Sequence, residues 1–402
     1  MGLYKYYPIP SDRMGALWTL LPIKGSCILE FGTSGTTRFE LNSFARMQGD
    51  QHSKIFSTHL DETDIAMGQM FRLNKAVDEI IENQKPSVLF IMPSTLSATM
   101  GTDIAAYCKE YQQKYVDTKI IPIKSDGFHG NWNIGIMDTL NILATDLPIE
   151  TEKNKETTYN IIGSCADDYN YYSDLYEIQR ILKEGFNSKP VCIMTSDTHI
   201  SDFKAMGGAH VNIVLRNEGI TAAQTLEKRF GTPYVFGRPY GLKGTIEWIR
   251  KISEILKINC NEEFIKHEKE QLESALKIVS SHAIQRRKLS IALGGHTDIV
   301  RGLKDFLENE AGFIISNTWC NSPDMSTEDI PFHKESKWEA LVNAGKFDIL
   351  MGNAITLNLA KNRCKKIQID NPNYEFSFIK YPYTPYVGFR GALYLLNRCI
   401  NP

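Results

Sequence analysis

Two cysteines stand where a ligand-binding thiol would be useful. Cys165 lies in the loop Gly163-Ser164-Cys165-Ala166-Asp167, after an apolar run at 159–162 that reads as a strand. Cys320 lies in Asn317-Thr318-Trp319-Cys320, after a second such run at 313–316. Open α/β sheets bind ligands beyond the carboxyl ends of their strands, so a soft thiolate in either loop suits a metal or cofactor. The plainer alternative for each is an inert thiol packed at a loop base. Arg216 follows the run 212–215, and its planar fork of donors suits a carboxylate or phosphate, with backbone carbonyls at a domain boundary as the alternative. His129, in Gly127-Phe128-His129-Gly130, could move protons near neutral pH or serve as a structural hydrogen-bonder. His129 and Arg216 are therefore the candidate catalytic residues, and Cys165 and Cys320 the candidate cofactor-binding pair. His296 sits in Gly294-Gly295-His296-Thr297-Asp298, which lacks dinucleotide or P-loop spacing and reads as a turn capped by Thr297 or Asp298.

The elements that must position these residues alternate between strand and helix. Residues 87–92 are apolar without polar alternation, as expected of a strand buried on both faces. Asp61 or Thr63 can cap a helix whose positions Ile65, Met70, Leu73, Val77, Ile80 and Ile81 share one face. Further helices are expected at 101–114, 173–184 and 298–309, and strands at 119–123, 190–195, 211–215, 289–293 and 349–351. The polar stretch 151–158 reads as a linker, and the charged stretch 261–288 as a bridging helix. The expected architecture is α/β, with three Rossmann-like domains, each a mostly parallel sheet flanked by helices. Its boundaries fall at 1–150, 159–260 and 289–402.

Composition narrows the partners. The chain has 402 residues, 45 Lys plus Arg and 47 Asp plus Glu, so no net field draws it to nucleic acid or anionic lipid. No apolar run approaches the roughly 20 residues of a membrane helix, and the first 24 residues do not resemble a signal peptide. Eight cysteines without close pairing read as reduced thiols. A soluble, cytoplasmic protein is expected.

Several segments together carry a resemblance. They are Gly15-Ala16-Leu17 with Pro22-Ile23-Lys24-Gly25, Phe31-Gly32-Thr33-Ser34-Gly35-Thr36, Thr58-His59-Leu60-Asp61-Glu62-Thr63-Asp64-Ile65 and Met92-Pro93-Ser94-Thr95. Met100-Gly101-Thr102-Asp103-Ile104, Gly127-Phe128-His129-Gly130, Asn160-Ile161-Ile162-Gly163 and Pro385-Tyr386-Val387-Gly388-Phe389-Arg390-Gly391-Ala392 complete the series. In order and spacing this resembles the component 1 family of nitrogenase, with its protochlorophyllide reductase and nickel-sirohydrochlorin reductive cyclase relatives. The resemblance implies a homologous partner subunit and an ATP-dependent iron–sulfur reductase. It also implies a substrate or metallocofactor in an interdomain crevice, where Arg216 could meet a carboxylate.

The departures concern ligands. The family's three cluster-cysteine loops match Ser11 to Met14, Thr36, and Thr95 or Leu96, none of them cysteine. Hydroxyls replace neither the charge nor the softness of thiolate. Some relatives use one aspartate while the partner subunit supplies three cysteines, and Asp12 lies in the matching loop, so it is the candidate metal ligand. A surface carboxylate in a proline-flanked turn is the alternative. Arg216 stands near the family's metallocofactor cysteine, and Asp370 and Asn371 are the nearest polar residues to its histidine. An iron–sulfur cluster shared with a partner subunit is compatible with this pattern; a nitrogenase-type metallocofactor is not expected. The chain reads as a nitrogenase-like oxidoreductase subunit, or else as a non-catalytic scaffold that binds a small molecule or metallocofactor.

Overall fold

A computed structural model describes all residues except 1–3, 7, 46, 48–49, 68–69, 197, 286, 372–380 and 402. Twelve strands fall into three four-stranded parallel sheets among the described residues. The first contains β1 (Ser26–Phe31), β2 (Lys54–Ser57), β3 (Val88–Pro93) and β4 (Lys119–Pro122). The second contains β5 (Thr158–Ser164), β6 (Lys189–Thr195), β7 (Val211–Val214) and β8 (Tyr234–Phe236). The third contains β9 (Ser290–Gly295), β10 (Ile314–Cys320), β11 (Ile349–Gly352) and β12 (Lys365–Gln368). Each sheet has the same order, second strand, first, third, fourth. The connections therefore reverse direction between the first and third strands, opening a crevice at their carboxyl ends.

The sheets are packed in series. Successive strand residues point to opposite faces, so Ile161 faces one core and Ile162 another. Ile162 shares its core with Ile28 and Phe90 of the first sheet. Ile161 shares its core with Ile291 and Leu293 of the third. The outer faces of the first and third sheets, with Leu89 and Ala292, enter two smaller cores.

Several elements differ from the sequence reading. The segment around Asp12 is the start of helix Asp12–Leu20, not a turn. Helix Trp132–Asp146 lies against it. The expected helix after Asp61 is broken into Glu62–Met67 and Phe71–Gln84. Cys320 is the last residue of β10 rather than a loop residue. Helix Glu262–Gln285 packs on helices Tyr171–Phe186 and Gly388–Ile400. Among the described residues no helix is long and apolar enough to cross a membrane.

Candidate functional site

The strand-end loops of the second sheet carry a buried charge network. Arg216, directly beyond β7, is fully buried. Its Nη1 donates to both carboxylate oxygens of Asp167, at 2.8 and 2.9 Å, and its Nε donates to Glu218 at 2.9 Å. Gly163 makes room for this arrangement: with φ +91, a Cβ there would fall 2.6 Å from the Arg216 Cγ. Glu218 lies 3.1 Å from His296 Nε2 beyond β9, while His296 Nδ1 accepts the Asp298 N–H at 3.2 Å. The proton therefore belongs on Nε2, pointing to Glu218. Burial alone would raise Glu218, but Arg216 and His296 outweigh it and hold the carboxyl well below the usual range. Arg216 is thus engaged by two carboxylates through Nε and Nη1, while its Nη2 is buried without a hydrogen-bond partner, and Glu218 carries the network from the second sheet to the third.

In front of this network lies a cavity of about 460 Å³ at the junction of the three sheets. Its walls include Trp18 and Trp132 from helices Asp12–Leu20 and Trp132–Asp146, Asp167 beyond β5, Trp319 and Cys320 in β10, and Asp370 beyond β12. Trp132 stands between the cavity and the Arg216 and His296 part of the network, its ring 5.5 Å from the Arg216 guanidinium carbon and 5.9 Å from the His296 ring. Asp370 accepts a 2.7 Å hydrogen bond from Asn321, and burial pushes its carboxyl up to about 7. Asn371 reaches from the same wall to the Asp167 carbonyl at 2.8 Å. Four of the protein's five tryptophans, residues 18, 132, 319 and 338, line this space.

The two candidate cysteines are not equivalent. Cys320 lines the cavity but is nearly fully covered; its thiol donates to the Ser322 carbonyl and burial raises its pKa. Cys165 packs in a different core, with Ile162 and Met194, and burial pushes its thiol up to about 12. Asp12 and His129, by contrast, come together. Asp12, Asp126 and His129 each place one ligand atom within 4.8 Å of the others. Asp12 is only 1% exposed, and neither carboxylate oxygen makes a hydrogen bond of good geometry. Burial raises its pKa, with nearby backbone N–H groups of Arg13 and His129 opposing in part. The surface-turn alternative for Asp12 is thereby corrected: the carboxylate is enclosed. His129 Nδ1 lies 2.9 Å from Asp126 Oδ1. Asp126 and Asp167 were not among the sequence candidates. Asp167 was legible only as one polar residue in the Cys165 loop, and Asp126 gave no separate signal.

A model of the family described as nitrogenase component 1 type oxidoreductase matches residues 11–402. The chain belongs to that family. It is 27% identical over 299 residues to the nitrogenase iron-molybdenum cofactor biosynthesis protein NifE of Clostridium pasteurianum, covering 73% of this chain and 64% of that protein. The same protein from Bradyrhizobium diazoefficiens is 31% identical over 209 residues, 50% of this chain and 36% of its own length. The chain thus spans less than two thirds of these curated relatives. A solved structure titled Nitrogenase Cp1 at pH 6.5 superposes with a TM-score of 0.82 at 18% identity, over 99% of this chain and 93% of that one, and shares its fold.

The metal groups of the component 1 family do not fit this chain unaided. In two of the three loops that the sequence compares with the family's cluster-cysteine loops, Thr36 Oγ1 pairs with Thr33 Oγ1 at 3.0 Å, and Thr95 Oγ1 donates to the Asp126 carbonyl at 3.0 Å. These are neutral hydroxyls already engaged, and no thiolate stands beside them. Arg216 is locked in ion pairs and Asp370 is a buried carboxyl. A cavity with these walls offers stacking surfaces, hydrogen-bond acceptors and hard oxygen ligands.

Proposed function

We propose that this component 1 family chain is a scaffold subunit that holds a small molecule or a metal-bearing cofactor precursor in the tryptophan-lined cavity, paired with a homologous subunit. The cavity itself carries the reading. Its volume of about 460 Å³ is that of a ligand pocket. Its apolar faces hold a compact or planar body, and Asp167, Asp370 and Asn371 fix its orientation from one side. Burial raises the Cys320 thiol's pKa and so disfavours its reactive thiolate form. That its relatives carry the name of cofactor biosynthesis proteins supports holding rather than turnover. The test is anaerobic co-purification with the homologous subunit, followed by metal analysis and mass spectrometry of the released ligand. Wild type should carry a stoichiometric ligand, and the Trp319→Ala, Asp370→Asn double variant should lose it. Equal content in both would refute the reading.

A second reading is an oxidoreductase subunit fed by an ATP-dependent iron–sulfur reductase, with a cluster held mainly by the partner subunit. It is favoured by one observation, the enclosed Asp12 carboxylate in the loop that matches a cluster ligand. Oxidation of the reduced reductase should then depend on ATP and on the assembled pair; no such dependence would rule it out.

A further inference from the structure

The chain carries a second feature, separate from the cavity, that the scaffold reading does not use. Asp12 opens the helix Asp12–Leu20, and Asp126 and His129 lie in the loop between β4 and helix Trp132–Asp146. The loop is fastened to the helix start on both sides. Asp12 N–H donates to the Gly130 carbonyl at 3.0 Å, and Trp132 N–H donates to the Pro10 carbonyl at 2.9 Å. The three side chains are therefore held together before any ligand arrives. Enclosing a carboxylate costs energy unless a charge or strong donors compensate it; Asp12 is 1% exposed, neither of its oxygens makes a hydrogen bond of good geometry, and the nearby backbone N–H groups of Arg13 and His129 offset its burial only in part. A compensating positive charge at that spot would remove the penalty.

We propose that Asp12, Asp126 and His129 form a mononuclear divalent transition-metal site within this single chain. Ligand atoms bound to one ion at about 2.0–2.2 Å lie about 3–4.4 Å apart; the three atoms here lie within 4.8 Å of one another, so closure needs side-chain adjustment but no rearrangement of the backbone. Two carboxylates and one imidazole make a hard-to-borderline set suited to Zn²⁺, Fe²⁺, Mn²⁺ or Co²⁺. Metal binding displaces the proton shared between His129 Nδ1 and Asp126 Oδ1, or leaves it in place to orient the ring while Nε2 binds. His129 is exposed on its outer side, so water or a partner group completes the coordination. A carboxylate committed to this ion is not free for a cluster, which separates the inference from the redox reading.

The full-length chain, freed of metal by a chelator and without its partner, is titrated with Co²⁺ and with Zn²⁺. One Co²⁺ per chain should bind with weak d–d bands and no intense thiolate charge-transfer band. Since loss of even an outer-shell partner costs about 10–100-fold in affinity, Asp12→Asn should lower affinity by about 100-fold or more, and His129→Ala by at least about tenfold. Metal should raise the melting temperature of wild type and not that of Asp12→Asn, whose metal-free form melts at or above the wild type. Absence of saturable binding, or equal affinity in wild type and Asp12→Asn, overturns the proposal. So does Asp12-dependent uptake of iron with stoichiometric sulfide by the assembled pair.

Discussion

Arg216, behind the cavity, and Asp370, in its wall, contrast a paired with an unpaired buried ionisable group. Arg216 satisfies Asp167 and Glu218, so removing it strands two buried carboxylates. Arg216→Met should cost about 3–5 kcal/mol in denaturant unfolding, the usual penalty for breaking a buried pair; a loss under about 1 kcal/mol would mean that the network relaxes into water. Asp370 behaves oppositely, because its pKa rises from 3.8 to about 7 through burial. Between those values the folded state keeps a proton that the unfolded chain has lost, so stability falls as pH rises through this window and is flat above it. Asp370→Asn should therefore raise stability by about 1–3 kcal/mol at pH 8 and change it little near pH 4. A gain that is uniform across pH would assign the effect to packing instead. The sequence made Arg216 visible through its place after an apolar strand, but not the two acids that occupy it. Ion pairing across separate loops leaves no periodic trace. Asp12 was visible only by resemblance, and its burial is a tertiary fact that the neighbouring prolines concealed.

Helices Asp12–Leu20 and Trp132–Asp146 meet through two glycines. A Cβ on Gly15 would lie 1.8 Å from the Trp132 carbonyl oxygen, and one on Gly135 would lie 1.7 Å from the Asp12 carbonyl oxygen. Both obstacles are backbone, so no rotamer change relieves them. Gly135→Ala must push the helices apart, at about 3 kcal/mol or more by analogy with severe overpacking, and should weaken Co²⁺ binding by separating Asp12 from His129. Equilibrium unfolding and the cobalt titration check the two halves; wild-type values in both would show that the helices can slide. These two helices were not legible beforehand. The first has only nine residues and is buried on every side, so it lacks an amphipathic period. The second follows a glycine-rich loop and is mostly apolar along its length. The central strands were legible, because a continuous apolar run of five or six residues has few other uses. Cys320 fell outside its strand in the sequence reading because Asn317 and Thr318 interrupt the run.

The second sheet gives one face to each of two shared cores, so the molecule cannot lose it in isolation. Ile161 packs with Ile291 and Leu293 of the third sheet, whereas the adjacent Ile162 packs with Ile28 and Phe90 of the first. The sequence shows the three α/β series, but neighbouring residues that serve different cores look identical in an unbroken apolar strand. Ion pairs and hydrogen bonds add further ties, including Glu218 to His296 and Asn131 to Asp324. Chains of this size can unfold in steps, yet shared faces favour a single transition. Ile161→Ala and Ile162→Ala should each cost about 2–5 kcal/mol, as for other buried aliphatic truncations, and both should displace the same transition. Tryptophan fluorescence can follow it from both ends, since Trp18 and Trp132 lie near the first sheet and Trp319 in the third. If Ile162→Ala instead splits unfolding into two steps, with the Trp18 and Trp132 signal moving alone, the first sheet folds independently, and the cavity at the junction would open before its β10 wall is lost.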